Sequence, residues 1–305
     1  MKFGYLKNID HVEFQQPLPR QETIDYLQQR ETDEQTPKFY IGATGWSTKE
    51  WVGQIYPKGT KTTDFLKYYG EQFNSIELNT THYRIPTGEL VEKWKAATPD
   101  DFRFCPKIPQ SISHRNDFGL SNGLLKRFTD VITELEDRLG CCFMQLPPYF
   151  DSGRLPQLEQ FMRLFPDHIP LAVEVRHESW FQNDATFQQF VETCRRQNIA
   201  TVVSDVAGRR DVMHTAVSTD KWVIRFVGNA LHPTDYKRVD EWIQLLKIYI
   251  KNGLKEIYFF PHQHEEPVVP PIAAYILEQV EKELKILVRG PDVDKYQQGE
   301  QMSLF

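Results

Sequence analysis

Apolar runs of strand length recur along the chain at near-regular intervals. They are Phe39–Ala43, Ser75–Asn79, Phe102–Lys107, Cys141–Leu146, Leu171–Val175, Ala200–Asp205, Trp222–Val227 and Glu256–Phe260. Between most of them the apolar residues switch to helical spacing. Thr63–Phe73 carries Phe65, Leu66, Tyr69 and Phe73, and Asn122–Leu139 carries Leu124, Leu125, Phe128, Ile132 and Leu135. Asp184–Gln197 carries Phe187, Phe190, Val191 and Cys194, and Asp235–Lys251 carries Val239, Trp242, Ile243, Leu246 and Ile250. Each set makes one apolar stripe on a helix. Asn183-Asp184 and Thr234-Asp235 supply N-cap candidates.

Eight strands alternating with helices predict parallel βα repetition. Eight is the number that closes a (β/α)8 TIM barrel, here as a single domain. An open doubly wound sheet is the runner-up, and no G-x-G-x-x-G follows the first strand to support it. The stretch Val206–Lys221 is short and polar, so the helix after the sixth strand is predicted to be reduced. Residues 1–37 form a polar N-terminal extension with one short helix, Arg20–Arg30, either packed on the domain or left as a flexible tail. Residues 38–290 are the barrel domain, and residues 291–305 are a polar tether with a tail.

Composition narrows the function classes. The chain has 305 residues, with 36 Lys plus Arg against 42 Asp plus Glu, a net charge of −6. That balance argues against a general nucleic-acid or anionic-membrane surface. The longest apolar stretch, Val268–Leu277, is broken by Pro270 and Pro271 and is too short to span a membrane. The N-terminus carries no apolar core of the signal-peptide kind. Four cysteines without C-x-x-C spacing read as reduced thiols. A cytoplasmic location is expected.

Strands covered on both faces should be almost continuously apolar, and several here are not. Period-2 alternation puts Ile76 and Leu78 on one face, Glu77 and Asn79 on the other. Likewise Val173 and Val175 oppose Glu174 and Arg176, and Lys107 shares a face with Arg103. Gln145, Asp205 and Arg225 lie at or near the ends of their strands. In a barrel the apolar face meets the helices, so the polar face points inward and lines the mouth at the strand C-termini. Burying an unpaired charge there costs several kcal/mol. Glu77, Lys107, Glu174, Arg176, Asp205 and Arg225 are therefore expected to form one mutually satisfied cluster. Such a cluster is a candidate site; the alternative is an internal salt-bridge network that only fills the barrel. In the functional reading Glu77 and Glu174 are the general acid and base, and Lys107 and Arg176 hold an anionic group. Trp46, Tyr83 and Trp180, just past strand ends, are candidates for stacking on a sugar or base, or are plain loop packing.

His262 and His264 point the same way in an extended segment, a weak metal half-site with Glu265 or Glu266. Solvated loop histidines are the competing reading. His177 and His114 stand singly. The sequence requires no cofactor, though it admits a divalent metal. No P-loop occurs.

Gly42-Ala43-Thr44-Gly45-Trp46, Tyr56-Pro57 and Glu77-Leu78-Asn79-Thr80-Thr81-His82-Tyr83-Arg84 begin a resemblance to one family. Trp94, Thr98-Pro99, Phe102-Arg103-Phe104-Cys105-Pro106-Lys107 and Ile112-Ser113-His114 continue it. So do Phe143-Met144-Gln145-Leu146-Pro147-Pro148 and Glu174-Val175-Arg176-His177-Glu178-Ser179-Trp180. Over about Phe39 to Phe260 the chain resembles the YecE-like family, domain of unknown function 72. The resemblance implies a TIM barrel and no established reaction. Distant fold relatives include sugar isomerases and apurinic endonucleases, an analogy of fold alone. The family's motif positions are Glu77, Asn79, Lys107, Gln145, Glu174, Arg176 and His177. Two places depart: Arg225-Phe226-Val227-Gly228 lacks the family's usual histidine, and the eighth strand ends Phe260-Pro261-His262 in place of asparagines.

The last five residues, Gln301-Met302-Ser303-Leu304-Phe305, resemble the pentapeptide by which bacterial replication and repair proteins bind the DNA sliding clamp. A polar tether would present Gln301, Leu304 and Phe305 to a partner pocket. Two functions are thus carried forward. One is an enzyme acting on a small anionic, sugar-like or nucleotide-type substrate. The other is a non-catalytic adaptor recruited to the clamp. Deleting Gln301–Phe305 is expected to abolish clamp binding in a calorimetric titration. Unchanged affinity in the shortened chain, or none in the intact one, ends the clamp reading.

Overall fold

The computed structural model describes residues 3–30, 36–293 and 295–296. The eight predicted strands are present: β1 (Lys38–Ile41), β2 (Ser75–Leu78), β3 (Arg103–Pro106), β4 (Cys142–Gln145), β5 (Leu171–Glu174), β6 (Ala200–Asp205), β7 (Lys221–Val227) and β8 (Glu256–His262). They form a mixed α/β domain. A six-stranded parallel sheet runs in the order β1-β8-β7-β6-β5-β4, and β2 and β3 make a parallel pair of their own. The helices are α1 (Gln21–Gln29), α2 (Phe65–Gln72), α3 (Thr80–Tyr83), α4 (Gly88–Ala97), α5 (Gln110–Ser113), α6 (Leu124–Thr133), α7 (Leu155–Leu164), α8 (Asp184–Arg196), α9 (Pro233–Lys251) and α10 (Val269–Gln279). Among the described residues no helix is long and apolar enough to cross a membrane.

Local chemistry sets several boundaries. Asn183 caps α8 as expected, its side chain accepting from Thr186 N at 2.9 Å. Helix α9 starts one residue before the predicted Thr234-Asp235 cap, with His232 as cap and Pro233 at the first position. The helix predicted over Asn122–Leu139 stops at Thr133, and Glu136 beyond it has φ +52°. Between β6 and β7 only a 3₁₀ turn, Arg210–Val212, is found. Helix α1 packs there. Tyr26 Oη donates to Ser218 O at 2.7 Å, Arg20 N to Tyr249 Oη at 3.0 Å, and Arg195 to Glu22 O at 3.1 Å. The N-terminal helix thus lies against both α8 and α9, beside the unit that lacks its own helix.

The two sheets touch at both of their boundaries. At β1 and β2, Glu77 N donates to Ala43 O at 3.0 Å. Buried Asn74 accepts from Ile41 N at 2.8 Å and donates to Phe39 O at 2.9 Å. A Cβ on Gly42 would collide with the Ser75 carbonyl, so this approach needs glycine. At β3 and β4, Gly140 N donates to Phe104 O at 2.7 Å and Ile108 N to Phe143 O at 2.9 Å. Alternate residues sort by face as period 2 requires. Tyr40, Cys105, Cys141, Phe143, Ala172, Ala200, Val202, Val223, Tyr258 and Phe260 make one small cluster. The opposite strand faces join the helices in two larger ones.

Asn74→Ala would strand two buried backbone groups at the β1–β2 boundary. It is expected to destabilise the fold by about 3 kcal/mol, read from the urea midpoint. A change under about 1 kcal/mol would show that the boundary is held by other bonds.

Candidate functional site

On the face shared by the small cluster, the last residues of the strands are polar. Gln145 of β4 is in register with Glu174 of β5, and Ser204 of β6 with Arg225 of β7. These pairs therefore lie at one level, joined by Glu77 of β2, His262 of β8 and Lys107 just after β3. Arg225 is the hub. Its Nε and Nη2 donate to the two oxygens of Glu77 at 2.9 and 2.8 Å, and its Nη1 donates to Glu174 Oε2 at 2.9 Å. Glu174 Oε1 also accepts from Arg176 Nε at 2.6 Å and Ser204 Oγ at 2.7 Å. Glu77 also accepts from Asn79 Nδ2 at 2.9 Å, and His262 Nε2 lies 2.9 Å from its Oε2. The carboxylate can only accept, so His262 carries its proton on Nε2. Lys107 Nζ donates to Gln145 Oε1 at 3.0 Å. No ion-pair partner lies within 4.0 Å of it among the described residues.

The electrostatics follow from this geometry. Burial opposes ionisation of Glu77, but Arg225 and His262 outweigh it and hold Glu77 well below the usual carboxylate range. Glu174 is likewise penalised by burial, yet Arg176 and Arg225 bring it down to about 2. Burial lowers His262 despite Glu77 beside it. Burial, then repulsion by Arg225, pushes Lys107 down to about 8. Two buried carboxylates are thus fixed in the ionised state, while the lysine titrates near neutrality.

A family model, "Protein of unknown function DUF72", matches residues 40–297. The chain belongs to the DUF72 family. It is 28% identical to the UPF0759 protein YecE of Escherichia coli K12 over 285 residues, covering 88% of this chain and 100% of that protein. It is 31% identical to the UPF0759 protein YunF of Bacillus subtilis 168 over 151 residues, covering 47% of this chain and 52% of that protein. Among solved structures, a DUF72 family protein from Enterococcus faecalis V583 matches with TM-score 0.65 at 19% identity, covering 82% of this chain and 96% of that one. Another DUF72 family protein, from Thermotoga maritima MSB8, matches with TM-score 0.54 at 28% identity, covering 73% and 92%.

In this DUF72 chain the expected cluster forms from Glu77, Lys107, Glu174, Arg176 and Arg225, with Asn79 and Gln145. Asp205 stands apart. It shares the face of Val203, under α9, where Trp242 Nε1 donates to it at 2.8 Å and Arg238 and Arg210 pair with it. Ser204 takes the place on the cluster's face, bonded to Glu174, which strict alternation along Ala200, Val202 and Ser204 would have found. Trp180 is also displaced from the site: it is fully buried in the helix-side core, and its Nε1 donates to Phe150 O at 2.8 Å. Tyr83 is 76% exposed. Half-buried Trp46 packs edge-on to Trp94, with ring centroids 6.2 Å apart. His114 is half-buried, its Nδ1 2.9 Å from Ser113 Oγ. His177 turns back on Ser179, accepting from its N at 3.2 Å. His262 is committed to Glu77, whereas His264, beyond the strand's end, packs against Tyr5 with centroids 4.3 Å apart. Among the described residues no group of three His, Cys, Asp or Glu gathers to hold a metal. The side chain of Glu266 and the whole of Gln301, Leu304 and Phe305 lie outside the described residues.

Residues 3–5 were not readable as part of the site. Phe3 lies over Arg176 at 4.0 Å and over Arg209 at 5.2 Å, and Gly208 N donates to Gly4 O at 2.8 Å. A small cavity of about 230 Å³ remains beside Arg176, lined also by Pro148, His177, Glu178, Arg209 and Asp211.

Arg225→Met would leave two buried carboxylates facing each other without their shared cation. It is expected to cost about 3–5 kcal/mol at pH 7. Glu174 sits at about 2 in the fold against an ordinary 4.5, so its ionisation stabilises above that ordinary value and the contribution fades as pH falls toward 2. The variant's deficit should therefore shrink at pH 3, where its carboxylates protonate. Urea titrations at both pH values check this, and an equal deficit at each would sink the charge account.

Proposed function

We propose that the eight strands close into a (β/α)8 barrel and that the polar layer is its C-terminal mouth. Bonds at both sheet boundaries, with glycine where the backbones come closest, support closure. At this mouth we infer an enzyme site for a small anionic substrate, with Lys107 as the group that holds the anion and exchanges a proton with it.

One observation carries this reading. Lys107 is 7% exposed, and the one hydrogen-bond partner of its ammonium among the described residues is the uncharged Gln145. A buried ammonium with no carboxylate in contact is costly, and an incoming anion supplies that contact. The acid–base pair expected of Glu77 and Glu174 gives way here. Their oxygens are taken by guanidinium, amide, hydroxyl and imidazole donors, so they hold Arg225 and Arg176 in place. A lysine near 8 is the group tuned for proton transfer near neutral pH.

The adaptor reading has one observation on its side: residues 3–5 cover the Arg176 edge of the mouth. Four free, buried cysteines support a reducing, cytoplasmic setting for either reading.

Lys107 falls from an ordinary 10.5 to about 8, so its charge destabilises the fold below pH 8, and stability rises as pH climbs from there toward 10.5. Lys107→Met should therefore be at least as stable as wild type at pH 7. Ribose 5-phosphate should bind wild type at pH 6.5, more than about tenfold weaker at pH 9.5, and not measurably to Lys107→Met. Calorimetry decides it: no binding to wild type, or equal binding to the variant, overturns the proposal.

A further inference from the structure

Beside the polar layer lies a cleft of about 460 Å³, which is ligand-sized. Its apolar wall is built from Trp46, in the loop after β1, and from Ile85, Pro86, Leu90 and Trp94 at and around α4. Trp94 is buried, whereas Trp46 is half-buried and packed edge-on to it, leaving an aromatic surface in the cleft. Leu90 is 41% exposed there, an apolar side chain with open space above it.

The charged residues on the wall are Arg84, Lys93 and Glu89. Arg84 and Lys93 are exposed and make no ion pair or side-chain hydrogen bond among the described residues. The cleft therefore has an apolar aromatic wall and an excess of one positive charge. It is linked to the layer along the chain. Thr80 lines the cleft, and its neighbours on either side reach the cluster. Asn79 donates to Glu77, and Thr81 Oγ1 donates to the carbonyl of Lys107 itself at 2.7 Å.

We propose that this cleft holds the planar heteroaromatic ring of a substrate whose anionic group is held at Lys107. The ligand class is a nucleoside monophosphate or a molecule built like one: a flat ring joined through a short polar spacer to an anion. The ring stacks on Trp46 and displaces water from Ile85 and Leu90. Arg84 and Lys93 add a positive field that draws the anion toward the layer. This proposal rests on the mouth reading above, and it goes further by assigning the apolar half of the substrate.

The test compares three probes by calorimetry on the full chain: adenosine 5′-monophosphate, ribose 5-phosphate and adenosine. The monophosphate should bind at least tenfold more tightly than ribose 5-phosphate, and adenosine more weakly than the monophosphate. Trp46→Leu should erase the tenfold advantage and leave ribose 5-phosphate affinity unchanged. The double variant Arg84→Gln, Lys93→Gln, on exposed side chains that do not endanger folding, should weaken the monophosphate several-fold and flatten its salt dependence. Equal affinity of wild type for the two phosphates overturns the cleft assignment, as does an advantage that survives Trp46→Leu. Monophosphate binding that needs Trp46 but is indifferent to Lys107→Met upholds the ring site and overturns Lys107 as the anion's partner. The two failures are thereby told apart.

Discussion

The guanidinium of Arg225 is the constraint on which the polar layer depends. It is 2% exposed and spends all three nitrogens on two carboxylates that come from different sheets. Neither Glu77 nor Glu174 could stay ionised at such depth alone, because desolvation opposes the charge of each. With Arg225 between them each is held low, and Arg225 is raised in turn. The planar fork suits this task, since a lysine could not donate to both oxygens of one carboxylate and one oxygen of another in fixed directions. The layer is therefore a positional device. It fixes β2, β5 and β7 relative to one another at the level where Lys107 and Gln145 are held.

Much of this was legible in the sequence because alternation leaves few options for charge. A glutamate between two apolar strand residues, as in Ile76-Glu77-Leu78 and Val173-Glu174-Val175, must face away from the helices and must find cations there. Arg225 and Arg176 are those cations. Alternation misled where it was applied by nearness to a strand end. Asp205 ends β6 like a mouth residue, yet its face is that of Val203, and α9 supplies Arg238 and Trp242 to receive it. Trp180 failed for a different reason. Its position just past β5 says nothing of the 3₁₀ turn Glu178–Trp180, which rolls the indole into the core beside Phe150 and Phe190. For His262 and His264 the expected pairing ended with the strand itself at His262.

The N-terminal extension was legible only as a segment with one helix. Its placement depends on a gap elsewhere in the chain. Because β6 is followed by a 3₁₀ turn in place of a helix, the backbone and side chains of 215–218 would face solvent between α8 and α9. Helix α1 covers them, with Thr23 and Tyr26 meeting Val217 and Ser218. Residues before α1 then run back toward the strand ends, where Phe14 lies over Arg238 at 4.5 Å and Phe3 over Arg176. One missing helix thus accounts both for the docking of the extension and for the cover over one edge of the layer.

The sign of the layer bears on what it can hold. With His262 neutral, Lys107, Arg176 and Arg225 face two carboxylates, an excess of one positive charge inside a chain whose net charge is −6. The two charges act over different ranges. Beyond a Debye length of about 8 Å the chain's negative balance is screened for a small ion but still opposes a polyanion lying along its surface. At contact, the unpaired ammonium of Lys107 dominates because the surrounding dielectric is low. A long nucleic acid must meet the negative surface along its whole length to reach one lysine. A single phosphate or carboxylate on a small molecule meets mainly the lysine, so the layer's charge suits a small anion better than a polymer.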